Sequence, residues 1–444
     1  MRIGVDGYNL AMPHGTGVST YGLELVTALQ GMGHAVEGVF GLPVPADPAY
    51  REVQFFDALQ RPRDPLKRVP KWERRAEYLR AFGPARALEI PLTANVEKST
   101  FADRMPAFAR LSSSQNLFER AYARFERIKR FTTLEMADPP EIMHWTYPVP
   151  VRLKGARNIY TLHDLVPLKL PYTTLDNKAV YQRIVADCIA TADHICTVSE
   201  SSLNDIRDRF GIAPDRITNT YQSVSMGEIP SGSEADDAAA IEGIFGLRHR
   251  GYFLYFGAIE PKKNVGRIIE AYLSLRTDTP LVIVGARAWQ SSEELKLMPG
   301  GGADAVQGTF TGHRGQTIVR LSYLPRRVLK QLARGARALL FPSLYEGFGL
   351  PVLESMQLGT PVVTARTSSL PEIVGDAGIQ VDPYDVTSLV EAMRRVDSDA
   401  ALRAGMAQRG LEQARMFSMA RYRERLATLY ARTLGQSAAP GAAT

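Results

Sequence analysis

The stretch at residues 338–363, ALLFPSLYEGFGLPVLESMQLGTPVV, admits few folds. Its apolar start, residues 338–341, reads as a buried strand that ends at Pro342 and Ser343. Glu346-Gly347-Phe348-Gly349-Leu350-Pro351 follows. Two glycines around an aromatic let the backbone approach a ligand closely and expose its N–H groups. Pro351 suits the first turn of a helix that runs through Met356 and stops near Gly359. Such a strand–loop–helix unit leaves free N–H groups beside the loop, where an anion can sit. Glu346 and Glu354 are separated by seven residues, one on the loop and one about a turn into the helix. Both can face one cleft.

The same alternation runs through the chain. Short apolar segments at 1–6, 34–40, 141–145, 158–162, 192–199, 216–221, 252–257, 281–285 and 379–382 are separated by helical patterns. Alternating strands and helices imply parallel, doubly wound α/β sheets. At 444 residues the chain is too long for one ordinary core. The expected division is a Rossmann-like domain over 1–225, a linker over 226–250 and a second Rossmann-like domain over 251–415. The linker contains the breaker-rich Pro230-Ser231-Gly232-Ser233. Phe417, Tyr422, Leu426, Leu429 and Tyr430 suit a last helix, 416–434, packing back on the first domain. The tail 435–444 reads as disordered.

Three more segments carry chemistry. Gly15, Thr16 and Gly17 open a helix after the first strand; they lack the third glycine of a dinucleotide fingerprint and the Gly-Lys-Ser/Thr of a phosphate-binding Walker loop. In Ala258-Ile259-Glu260-Pro261-Lys262-Lys263-Asn264-Val265 two lysines stand where a helix begins. They oppose the helix dipole, which is unfavourable unless an anion binds between them. His163 and Asp164 end a β-rich run, at the sheet edge where α/β proteins bind ligands. An imidazole there can donate to a hydroxyl or assist proton transfer near neutral pH. An anion site flanked by two carboxylates fits a sugar nucleotide. Helix N–H groups and cations hold its diphosphate, while carboxylates accept from sugar hydroxyls.

Composition removes several classes. Hydrophobic content of 45% and charged content of 23% are those of a soluble globular chain. No run of about 18 apolar residues or secretion segment is present, so neither a transmembrane helix nor export is expected. Cys188 and Cys196 have no second metal-ligand pair and suit a reducing cytoplasm. The net charge of +6 comes without a nucleic-acid motif, so no nucleic-acid partner is expected. Basic residues gather at Arg61, Arg63, Lys67, Arg68, Lys71, Arg74, Arg75 and Arg80, and again at Arg120, Arg124, Arg127, Lys129 and Arg130. Leu117, Tyr122, Phe125 and Ile128 fall at helical spacing within the second group. That helix either turns its apolar face to the core or rests on an anionic membrane.

Residues 341–363 resemble the signature of family-4-type glycosyltransferases, the retaining, sugar-nucleotide-dependent class with the GT-B fold of two Rossmann-like domains facing across a cleft. The resemblance extends over most of the chain. It implies that Glu346 sits near the donor hexose and that Glu354 binds the ribose hydroxyls. Phe348, Gly349 and Leu350 would offer N–H groups to the diphosphate. Lys263, with Lys262, would neutralise that leaving group. His163 would approach the donor sugar or the attacking hydroxyl, and Gly15, Thr16 and Gly17 would close from the opposite side. The family's Arg-Lys pair is Lys262-Lys263 here, and Ala258 stands where some members carry arginine. A bidentate guanidinium grip on phosphate is therefore missing from both places. The implied activity is hexose transfer, with GDP-mannose as first donor, to a glycan or lipid-linked acceptor in surface-polysaccharide assembly. It implies a cytoplasmic location, peripheral to the inner membrane face. No cofactor beyond the donor and no metal are expected. The alternatives are a sugar-nucleotide epimerase of similar architecture and a catalytically silent binding or scaffold protein.

Overall fold

The computed structural model describes residues 1–12, 17–60, 83–93, 96–98, 101, 105–175, 177–225, 234–301, 307–312 and 315–435. Gly15, Thr16, the basic run from Arg61 to Arg80, Pro230-Ser231-Gly232-Ser233 and the tail after residue 435 lie outside the described residues. In chain order the strands are β1 (Arg2–Asp6), β2 (Ala35–Phe40), β3 (Ala85–Arg86), β4 (Leu88–Ile90), β5 (Arg110–Ser113), β6 (Thr132–Glu135), β7 (Ile142–Trp145), β8 (Val151–Leu153), β9 (Arg157–Thr161), β10 (His194–Thr197) and β11 (Ile217–Asn219). The second half continues with β12 (Phe253–Phe256), β13 (Leu281–Val284), β14 (Gly308–Thr311), β15 (Thr317–Leu321), β16 (Ala338–Phe341), β17 (Val362–Ala365) and β18 (Ile379–Val381).

They form two large sheets, in the orders β11-β10-β9-β7-β1-β2-β5-β4 and β14-β15-β13-β12-β16-β17-β18. All pairings within them are parallel except the edge pairs β4–β5 and β14–β15. A small third sheet, β3-β6-β8, flanks the first. Helices cover both faces of such sheets, so their central strands read as unbroken apolar runs. FLYF in β12, LVIV in β13, ALLF in β16 and VVTA in β17 are buried throughout. Burying one such Phe or Leu contributes about 1.5–3 kcal/mol.

Strand order reverses between β1 and β7 in the first sheet and between β12 and β16 in the second. At such switch points neighbouring loops diverge and leave a crevice at the carboxyl ends of the strands. The loop after β12 carries Lys262 and Lys263, and the loop after β16 carries Glu346 to Leu350. The loop after β1 leads to Gly17, and the one after β9 to His163.

The segment from 48 to 140 contains the helices Pro48–Gln60 and Leu117–Ile128 among its strands. Leu117, Phe118, Ala121 and Phe125 form the buried face of the second helix, while Ile128 is 39% exposed. The apolar face therefore enters the core, one step round from the expected stripe. Within 226–250 the chain forms the helix Glu234–Phe245. The last helix, Met419–Thr433, buries Tyr422, Leu426, Leu429 and Tyr430. Tyr430 Oη lies 2.8 Å from His144 Nδ1 on β7, so this helix packs on the first sheet. Among the described residues no helix is long and apolar enough to cross a membrane.

Candidate active site

The two switch-point loops of the second sheet are stitched together by main-chain and amide contacts. Leu344 donates its N–H to the Lys262 carbonyl at 2.8 Å. Asn264, in a left-handed conformation (φ 64°), sends Nδ2 to the carbonyls of Pro342 at 3.0 Å and Pro383 at 2.7 Å. These contacts bring Lys263 Nζ to 2.6 Å from Glu346 Oε1, both side chains being largely buried. Burial alone would raise the Glu346 pKa, but the charges of Lys263 and Lys262 outweigh it and hold the carboxyl below its usual range. Burial likewise works against the Lys262 charge; Glu346, Glu260 and Asp164 more than offset that and hold its pKa above the usual range. The lysines thus already have protein counter-charges. Their place at a helix start does not by itself require a bound anion, contrary to the expectation from the dipole alone.

The glycine loop is held from behind. Ser369 Oγ donates to the carbonyls of Glu346 at 2.9 Å and Phe348 at 2.8 Å, and Ser368 Oγ accepts from the Glu346 N–H at 2.9 Å. Ser369 stands at the start of the short helix Leu370–Val374 but makes no cap hydrogen bond there; its hydroxyl serves the loop. Gly349 has φ 108°, and a Cβ there would come within 2.7 Å of Leu370. That geometry turns the chain into the helix Leu350–Gln357, with Pro351 in its first turn. No described residue accepts from the N–H groups of Phe348, Gly349 or Leu350. They form a cluster of donors at the helix start, next to Lys263.

The first half supplies the opposite wall. His163 Nε2 lies 2.8 Å from the Thr146 carbonyl oxygen, so Nε2 carries the proton and Nδ1 is left as an acceptor. Burial lowers the His163 pKa, against the Thr146 hydrogen bond and the Asp164 charge, which keeps the ring neutral. Tyr21 packs edge-on against the ring at 4.9 Å. Its hydroxyl is fixed 2.9 Å from Thr161 Oγ1, so imidazole orientation is set from within the core. A Cβ on Gly347 would lie 2.6 Å from the His163 carbonyl oxygen and 3.0 Å from Asp164 Oδ2. Only a glycine lets the two walls approach this closely. Gly17 starts the helix Gly17–Gly31 on the same side, with its Cβ position 3.9 Å from Leu350 Cδ1 across the cleft.

Glu354 belongs to a second cluster, away from the Lys263–Glu346 pair. Burial pushes its pKa up to about 7, with Glu24 adding to the rise and Arg326 and Lys330 opposing it. Glu24 comes from the first half, where its carboxylate accepts from the Ser225 N–H at 2.8 Å. Because the Glu354 pKa is raised on folding, its contribution favours the native state at low pH and is lost as pH rises through about 7. Glu354→Gln should therefore stabilise the unliganded protein by about 1–2 kcal/mol at pH 8 and leave it unchanged near pH 4. Melting temperatures of both proteins at the two pH values check this; equal differences at both would contradict it.

Comparison with known proteins decides the family. Residues 245–413 match the family described as glycosyl transferases group 1, and residues 96–225 match glycosyltransferase family 4. The O-antigen chain mannosyltransferase B of Escherichia coli is 35% identical over 275 residues, covering 61% of this chain and 68% of that protein. The chain belongs to the family-4-type glycosyltransferases. The serotype-specific mannosyltransferase WbdA of Escherichia coli is 28% identical over 62% of this chain, and the match spans 33% of that longer protein. Sucrose-phosphate synthase from Thermosynechococcus elongatus shares the fold, with a TM-score of 0.62 at 16% identity over 98% of this chain and 99% of that one. The two facing α/β domains are the GT-B fold.

Within this glycosyltransferase, several residues at the domain boundary had not been singled out as site residues. The Glu372 carboxylate accepts from the N–H groups of Glu200 at 3.0 Å and Ser201 at 2.9 Å, and from Tyr221 Oη at 2.9 Å. An acid at the start of the helix Glu200–Phe210 is favoured by its dipole, and here it comes from the other domain. Ser202 Oγ donates to the His163 carbonyl at 2.7 Å, and Tyr345 Oη donates to Asp205. Pairings between separate elements leave no spacing signal. Glu24 did leave one: it is a charge between Tyr21 and Ala28 on the buried face of its helix.

Proposed function

We propose that this glycosyltransferase moves mannose from GDP-mannose to a glycan or lipid-linked acceptor in surface-polysaccharide assembly, with retention of the donor's anomeric configuration. It would work in the cytoplasm, at the inner face of the membrane that carries the acceptor. The observation that carries the reading is the Lys263–Glu346 pair beside the N–H groups of Phe348, Gly349 and Leu350, at the switch point of the second sheet and facing His163. The sugar and the pathway rest on the mannosyltransferase names of its relatives.

In this reading the diphosphate lies against Lys263, Lys262 and the three N–H groups. As the bond from the anomeric carbon to the phosphate oxygen breaks, charge grows on the leaving diphosphate. Fixed donors aimed at it need no reorganisation, which is the term that lowers such barriers most. Glu346 shares Lys263 with the phosphate and holds hexose hydroxyls, and Glu354 takes the ribose hydroxyls. His163 Nδ1 accepts from a hydroxyl of the sugar or acceptor. Gly17 borders the donor from the first domain. No metal has a role in these steps.

Incubation with GDP-mannose and an oligomannoside acceptor tests the reading. The expected result is GDP release matched by a mannosylated product whose new linkage, read by NMR, keeps the donor's configuration. Transfer from UDP-sugars but not from GDP-mannose would overturn the donor, and an inverted linkage would overturn the stereochemistry.

A further inference from the structure

A groove of about 390 Å³ lies outside the donor cleft, between the helices Glu200–Phe210 and Met419–Thr433 and above the edge strand β11. One wall presents Arg207, and the other presents Arg425 and Arg432. Arg425 and Arg432 are seven residues apart on one helix, so their side chains bracket about 10 Å of groove. The Arg425 guanidinium lies 4.8 Å above the Tyr221 ring and donates Nη2 to the Met416 carbonyl at 2.9 Å; its Nη1 is buried without an acceptor among the described residues. Arg432 donates Nη1 to Thr218 Oγ1 at 3.1 Å, a neutral partner. The one carboxylate in the lining, Glu200, is engaged by Asn219 Nδ2 at 2.8 Å. Arg207 Nε lies 3.4 Å from Asp208 Oδ1, so three guanidinium groups meet the two acids Glu200 and Asp208 and the groove keeps an excess positive charge. A guanidinium fork matches phosphate oxygens two at a time, as a lysine tip cannot. The volume suits a small phosphorylated molecule.

We infer that this groove is an anion site, separate from the donor cleft, that takes the phosphate group of a small phosphate ester, with Arg425 and Arg432 on one side and Arg207 on the other. The site borders the contact between the domains, since Tyr221 lies beneath Arg425 and donates to Glu372 of the second domain. The phosphate can belong to a free hexose phosphate or to a lipid headgroup.

Calorimetric titration of the full chain with glucose 6-phosphate, and co-sedimentation with phosphatidylcholine vesicles containing phosphatidylglycerol, test the site and separate the two sources. Three proteins are compared: wild type, Lys263→Ala in the donor cleft, and Arg207→Gln/Arg432→Gln in the groove. Wild type and Lys263→Ala should bind equally well, and the groove variant about tenfold or more weakly. The groove variant should melt within about 2 °C of wild type, because both arginines are solvent-accessible. Binding of vesicles alone, lost in the groove variant, would assign the phosphate to a headgroup and support the site. The inference is overturned if wild type binds neither ligand, if the groove variant binds as wild type does, or if Lys263→Ala abolishes binding.

Discussion

Glu346→Gln should leave the protein folded and lower sugar transfer by about a hundred- to ten-thousand-fold. The substitution keeps the shape of the side chain and an oxygen for Lys263 Nζ, which lies 2.6 Å from Glu346 Oε1. What it removes is the negative charge, which burial opposes and Lys263 and Lys262 sustain. That charge pairs with the lysine tips and, in the proposed reading, grips hexose hydroxyls. Stability should change by about 1–2 kcal/mol at most, since a neutral acceptor still satisfies the buried amine. The turnover number and the melting temperature, measured together, check this. Turnover near that of wild type would remove Glu346 from the reaction.

The architecture was legible because parallel sheets demand buried apolar strands separated by helices, and β12, β13 and β16 are such runs. The cleft was legible because Gly347, Gly349 and Pro351 have few other uses between a strand and a helix. The small sheet β3-β6-β8 was not, since strands of two to four residues carry too little period to read. The lysine pair does stand just before a helix, Val265–Ser274, but its surroundings were not legible. Two of its counter-charges, Glu346 and Asp164, lie far from it in sequence and meet it only through folding. The same holds for Glu372, which crosses to the first turn of a helix in the other domain. Gly15 and Thr16, whose role the family resemblance implies, lie outside the described residues.

Lys263→Ala should be at least as damaging as the change at Glu346. It deletes the cation proposed to lie nearest the leaving diphosphate and leaves the Glu346 carboxylate, 8% exposed, with Lys262 as its remaining cation. Breaking a buried pair costs about 3–5 kcal/mol when the other charge is left alone, and Lys262 should reduce that to about 2–3 kcal/mol. The Glu346 pKa should rise, because burial is the largest influence on it and the strongest opposing charge is gone. Turnover should fall about a thousandfold. Lys262 cannot replace Lys263, because it lies 3.6 Å from Glu260 and shares its charge with that acid.

If Lys263 meets the diphosphate, affinity must depend on the phosphates more strongly with that amine than without it. Calorimetric titration of wild type and Lys263→Ala with GDP and with guanosine measures this difference. Wild type should bind GDP about a hundredfold more tightly than guanosine, and the variant should reduce that ratio about tenfold or more while binding guanosine equally well. An unchanged ratio in the variant would mean that the phosphates lie elsewhere and would contradict the assignment of this cleft.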